Sequence, residues 1–272
     1  MSVMARIAFV GLAAAAALAL GTALAQRASG DAPPLAPAGL GADRGIVRIA
    51  CFDGKRNVRR RTRGLLAATR ADLPHDVVVS TAHGLPDDPA AIIDQCRILA
   101  APGGTYGIAG VWRPADAGSD AADDWAVLRT DRRIEGTVAR LAVRVLTSDT
   151  LRGLTADEAP VRLMLSAPSA DLAGCTFKPA PVEREIAAGV FTHSCRSWAG
   201  LSGSPIVIDA EAPPVVVALN LGHRMKPFGS DGPLFVGVGR AIDAEIAAAI
   251  ARAAGQAELT ERAKLAAEGA AR

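Results

Sequence analysis

The sequence is short of aromatic residues and of lysine. Of 272 residues only 10 are Phe, Trp or Tyr, and 4 Lys stand against 26 Arg. The core must therefore be aliphatic. The Arg bias reads as compositional, so the alanine runs are not taken as helix on propensity alone. Net charge of one sign is also lacking: the formal value is +2, which argues against a nucleic-acid partner. With 21% charged and 50% hydrophobic residues, the chain is not a mainly disordered one. No C-x-x-C or H-E-x-x-H pattern occurs, and no cysteine lies within four residues of another, so no metal site is expected. Beyond the first 25 residues no uncharged apolar run approaches the roughly 20 residues needed to span a bilayer.

Those first 25 residues carry a different pattern. Arg6 is followed by an apolar stretch over Ile7–Leu20 and by Ala23-Leu24-Ala25, a small-residue cleavage site. The expectation is a secretory signal peptide over residues 1–25 and an exported product, periplasmic or extracellular. Export permits disulfides. Cys51, Cys96, Cys175 and Cys195 form an even set with three possible connectivities. Residues 26–44 are rich in Pro, Gly and Ala and read as a flexible lead-in, and 251–272 as an Ala-rich C-terminal tail.

Between them lie many short apolar segments separated by turn residues. Strands are expected over Gly45–Phe52, Gly64–Thr69, Asp76–Thr81, Gly107–Trp112, Trp125–Arg129, Ala142–Leu146, Val161–Leu165, Gly189–His193, Pro205–Ile208, Val215–Asn220 and Leu234–Gly239. Asp53–Arg63 reads as a basic, solvated hairpin tip. This pattern argues an all-β sandwich or barrel, and about 200 residues suits two barrels better than one. Ala241–Ala254 has helical spacing.

Three segments carry chemistry. Val78–His83 is an apolar strand ending in Thr-Ala-His. Asp124–Leu128 opens an apolar strand with an acid. Gly200–Pro205 (GLSGSP) sets Ser202 in a glycine-flanked turn. A serine hydroxyl is a weak nucleophile at neutral pH and needs a base within hydrogen-bond reach. His83 suits that role, and a carboxylate would fix its tautomer. Asp124 is the candidate acid, with Asp123 as its rival. The glycines let the backbone turn N–H groups toward a developing oxyanion. The G-x-S-x-G elbow fails, because position 204 is Ser.

The order His83, Asp124, Ser202, with Thr-Ala-His, Asp-x-Ala-x-Leu and Gly-x-Ser-Gly-Ser-Pro around them, resembles the chymotrypsin-like (trypsin-fold) serine proteases. The Gly-x-Ser-Gly-Ser-Pro form is most similar to their bacterial secreted branch. The resemblance covers residues 45–250. It implies two six-stranded antiparallel β-barrels with a C-terminal helix, hydrolysis of peptide bonds through an acyl-enzyme, no cofactor and no metal. The implied partner is a peptide or protein substrate. By the same resemblance, Gly200 and Ser202 N–H groups would bind the oxyanion, and Arg196, Asn220, Leu221 and Gly222 would flank the substrate pocket. Cys51 would pair with Cys96, and Cys175 with Cys195. Departures are informative. Gly84 follows the histidine where many relatives have Cys. Leu201 precedes the serine where vertebrate-type members have Asp, so no N-terminal insertion switch is expected at Arg44-Gly45-Ile46-Val47. Arg196 stands where trypsin-like members carry Asp, which suits an acidic substrate if the side chain faces the pocket. His75, His193 and His223 have no motif, though His223 lies near the expected edge strand. Two alternatives stand beside the protease: an inactive protease-like binding domain of the cell envelope, and an esterase using the same groups.

Overall fold

The computed structural model describes residues 44–54, 57–100, 104–136, 138–165, 170–178, 183–208, 213–229 and 232–255. The expected signal peptide, nearly all of the lead-in and residues 256–272 of the tail lie outside the described residues. Thirteen strands and four helices are described, and none of the helices is long and apolar enough to cross a membrane.

The first sheet comprises β1 (Ile46–Phe52), β2 (Val58–Ala67), β3 (Val77–Ser80), β4 (Cys96–Ala100), β5 (Gly104–Tyr106), β6 (Ile108–Trp112) and β7 (Ala126–Thr130). They lie in the order β5-β4-β1-β2-β3-β7-β6, all antiparallel. The two ends of that order, β5 and β6, are one run of chain interrupted at Gly107. Its first half pairs with β4 and its second half with β7. The seven segments thus roll up as six strands, with one strand split. The second sheet is a closed barrel in the order β10-β13-β12-β11-β8-β9. Its strands are β8 (Pro160–Leu163), β9 (Leu172–Lys178), β10 (Val190–His193), β11 (Pro205–Ile208), β12 (Val216–Gly229) and β13 (Gly232–Ala241). The all-β two-barrel expectation holds.

Side-chain alternation along each strand builds three cores at once. Leu65 and Ala67 of β2, Val77 and Val79 of β3, and Val127 of β7 face the space between the barrels. Leu66, Val78, Ala126 and Leu128, one residue out of step, fill the first barrel. In the second barrel Val207, Val216 and Leu219 face the shared space, while Ile206, Val217 and Ala218 face inward. The strands are apolar on both faces because each separates two cores. The C-terminal helix α4 (Ala244–Ala253) closes the shared space with Ile246, Ala249 and Ile250. The expected helix began at Ala241. It starts later because Asp243 caps it, accepting from Ile246 N–H at 3.0 Å.

Other expectations need correction. The expected hairpin tip over Asp53–Arg63 is shorter: Val58–Arg63 belongs to β2, which pairs with β1 as far as Phe52. Ala142–Leu146 is not a strand. It makes one bridge, Val143 to Val216, and Leu141 just before it makes another, to Ala67. The sequence reading also omitted β4, β5, β9, and the helices α1 (Pro89–Gln95), α2 (Ser148–Ala156) and α3 (Glu183–Ala187).

Cys51 is bonded to Cys96, directly opposite it across β1 and β4, and Cys175 to Cys195. They span 45 and 20 residues, and closing loops of that size restricts the unfolded chain by roughly 3–4 kcal/mol each.

Candidate active site

His83 lies just past the end of β3 and Asp124 just before β7, and these two strands pair edge to edge. Their adjacency brings residues 41 apart in sequence into contact. Asp124 is buried. Its Oδ1 accepts from Ala82 N–H at 2.9 Å and His83 N–H at 2.8 Å, and its Oδ2 lies 2.6 Å from His83 Nδ1. A carboxylate oxygen facing Nδ1 sets that nitrogen as the donor, which leaves Nε2 as the acceptor. Nε2 stands 2.8 Å from Ser202 Oγ. The same hydroxyl lies 3.2 Å from the Leu221 carbonyl, so its single proton has two acceptors to choose between. Asp123 makes no contact with His83 of this kind; its backbone forms the turn that admits Trp125.

Ser202 comes from the other barrel. Its loop is held against β2 by Arg63 N–H (2.8 Å) and Thr62 Oγ1 (3.0 Å), both donating to Ser202 O. Gly203 must be glycine: its φ is +80°, and an added Cβ would fall 1.9 Å from Arg63 O. Gly200 has φ +91°, also a backbone state that favours glycine. Gly84 has its own steric reason, since a Cβ there would lie 2.4 Å from Thr62 Cβ. Among the described residues, the Gly200 and Ser202 N–H groups donate to no acceptor.

Leu201 is buried in the second barrel's core, so apolar packing anchors the segment just before Ser202. Arg44 is also buried. It is paired with Asp171 at 2.5 Å and also donates to Leu165 O. The Arg44–Gly45 bond is thereby tied into the fold.

The four residues expected around the substrate pocket fare differently. Arg196 is exposed, as is Trp198 two residues on. Asn220 is fully buried, with its amide bonded to Leu201 O at 2.9 Å and to His193 Nε2 at 3.2 Å. Both ends of its side chain are occupied within the protein. Leu221 contributes its carbonyl to Ser202, and Gly222 follows it with φ +137°. His223 is exposed on β12, and His75 Nε2 lies 3.2 Å from Ala253 O. A polar cavity of about 630 Å³ opens beside His83, walled by Arg60, Asp87, Arg113, Asp116 and Asp123.

Sequence reasoning missed Thr62, Arg63 and His193. The first two meet the Ser202 loop through contacts spanning 137 to 140 residues, with no local signal to mark them.

Neither a family model nor a curated protein sequence matches the chain. Solved structures do, and they define the class of fold, the trypsin-like double β-barrel. One is the protease Anisep from Arthrobacter nicotinovorans, with a TM-score of 0.54 at 15% identity, covering 78% of this chain and 96% of that one. A second is a Glu endopeptidase in complex with MPD, at 0.51 and 15%, covering 84% and 99%. A third is an inactivated protease paralogue of the scabies mite, S-D1, at 0.53 and 11%, covering 78% and 93%. Proteases and an inactivated paralogue share this fold, so the fold alone does not decide activity.

Proposed function

We propose that the chain is an exported serine endopeptidase of the chymotrypsin-like type. The observation that carries this reading is the unbroken series Asp124–His83–Ser202, at 2.6 and 2.8 Å. In the proposed reaction His83 Nε2 takes the Ser202 proton as Oγ attacks the scissile carbonyl. The imidazolium that forms is stabilised by Asp124 and then protonates the leaving amine. The free Gly200 and Ser202 N–H groups are the oxyanion donors. Water repeats the sequence to release the acyl group. Two disulfides support assignment to an oxidising compartment outside the cytoplasm.

The test is labelling with a fluorophosphonate probe, together with cleavage of a quenched peptide library. The wild type is expected to label and to cleave, and Ser202→Ala to do neither while melting at the same temperature. A folded wild type that takes no label would replace this reading with that of a protease-like binding domain. Label and ester turnover without peptide cleavage would favour the esterase.

A further inference from the structure

The Ser202 loop shows a regularity that the proposed reaction does not use. Three successive carbonyls, those of Gly200, Leu201 and Ser202, each accept from a group outside the loop. Gly200 O takes Arg63 Nε at 3.0 Å, Leu201 O takes Asn220 Nδ2 at 2.9 Å, and Ser202 O takes Arg63 N–H at 2.8 Å. A trans peptide is planar, with its C=O and N–H pointing to opposite sides. The Leu201 carbonyl and the Ser202 N–H belong to one such plane. Holding the carbonyl toward Asn220 therefore aims the N–H the other way.

Asn220 is in turn held. Its Nδ2 must face Leu201 O, since the reverse orientation would set two carbonyl oxygens against each other. That turns Oδ1 to His193 Nε2 at 3.2 Å, which must then carry the proton. His193 has no freedom to leave. It is fully buried, and its ring lies so close to β13 that a Cβ at Gly237 would fall 2.0 Å from Cε1. Gly203 N–H donates to the Asn220 carbonyl at 2.8 Å, fixing the far side of the serine to the same residue.

We infer that the buried His193–Asn220 pair is a positioning unit, which orients the Leu201–Ser202 peptide so that the Ser202 N–H is presented to the oxyanion without any cleavage-dependent ion pair. This rests on the serine endopeptidase reading for its catalytic consequence, but the orientation itself does not.

Asn220→Asp separates aim from packing. It keeps the volume and keeps an acceptor for His193, and in its ionised form it has no proton to donate to Leu201 O. In the full chain, kcat on a peptide that the wild type cleaves is expected to fall about 10–100-fold, part of the loss seen when an oxyanion donor is removed. KM should stay within about twofold. The rate of fluorophosphonate labelling should fall in parallel with kcat. His193→Gln, which still offers a donor to Asn220 Oδ1, should stay near wild type, and His193→Leu should lose activity. Residual dipolar couplings of the Ser202 amide read the peptide plane directly, whether or not the chain is a protease. They should change in Asn220→Asp and not in His193→Gln. Unchanged Ser202 couplings in Asn220→Asp overturn the inference even if the wild type proves inactive. So does a loss of kcat matched by an equal rise in KM. An unlabelled wild type with the expected change in couplings removes the endopeptidase reading and leaves the positioning unit standing.

Discussion

Each barrel encloses a buried polar pair, and the two pairs are built in opposite ways. The first encloses a charged pair: Arg140 reaches Asp76 with Nε–Oδ1 at 2.6 Å and Nη2–Oδ2 at 2.9 Å, and Ile134 N–H donates to the same carboxylate at 2.7 Å. The second encloses a neutral pair, His193 and Asn220. The charged pair ties the connector between the barrels to the start of β3 and touches no reacting group. The neutral pair bonds to the Ser202 loop. A negative charge beneath that loop would oppose the proposed oxyanion, whereas an amide and a neutral imidazole orient a peptide without adding net charge. The barrels divide the proposed chemistry in the same way: base and acid come from the first, nucleophile and oxyanion donors from the second.

The sharpest way to break this division is to alter the acid. Asn at position 124 can still accept from the Ala82 and His83 N–H groups, but its amide nitrogen would face His83 Nδ1 and force the opposite tautomer. Nε2 would then carry a proton and could not accept one from Ser202. Asp124→Asn is expected to lower kcat by ~10⁴-fold with the melting temperature nearly unchanged. A loss under tenfold would mean that Asp124 does not set the tautomer, and the first barrel would lose its place in the reaction.

The next effect falls on stability alone. Asp76 and Arg140 are 1% and 17% exposed, so removing one leaves an uncompensated buried charge. Arg140→Ala is expected to destabilise by about 3–5 kcal/mol, read as the shift in a urea unfolding midpoint. Because this pair is remote from Ser202, kcat of the folded variant should be unchanged. A fall in kcat without a fall in stability would erase the contrast between the two pairs.

How much of this was legible in the sequence follows from the range of each interaction. Val78–His83 announced itself because an apolar strand and a chemical motif share six consecutive residues. The GLSGSP loop did so because glycine is demanded by local backbone geometry at Gly200 and Gly203. The roles of Thr62 and Arg63 could not be read, since what places them is a partner in the other barrel. Ala142–Leu146 misled for a related reason. Its apolar residues are spread over different surroundings, Val143 on the shared core, Leu146 in the second barrel's core and Val145 in solvent, and it makes a single bridge, Val143 to Val216, instead of a ladder. The helix α1 did leave a local signal: Asp88 caps it and Pro89 takes its first turn, the pairing expected at a helix start. His193 carries no local motif. Its burial depends on Gly237, far along the chain, and only the β10–β13 register reveals it.

The smallest effect concerns pH and bears on the neutral pair. Burial is the main reason that the pKa of His193 falls from its ordinary 6.5 to about 4, with the Asn220 hydrogen bond opposing it. The folded protein thus holds this imidazole neutral, while the unfolded chain protonates it below about 6.5. Between those values the unfolded state binds the extra proton, so stability rises with pH. The contribution is complete above pH 6.5 and is lost as pH falls toward 4, amounting to about 3 kcal/mol at 1.36 kcal/mol per unit. Carboxylates titrate over part of the same range, and His75 is shifted in the same direction, chiefly by burial. The informative quantity is therefore the difference between wild type and His193→Gln, which keeps the hydrogen bond and removes the titration. Urea midpoints at pH 7 and pH 4.5 should show the wild type losing about 2–3 kcal/mol more than the variant. Parallel losses would mean that the imidazole is not held neutral, and a charge would then lie beneath the Ser202 loop.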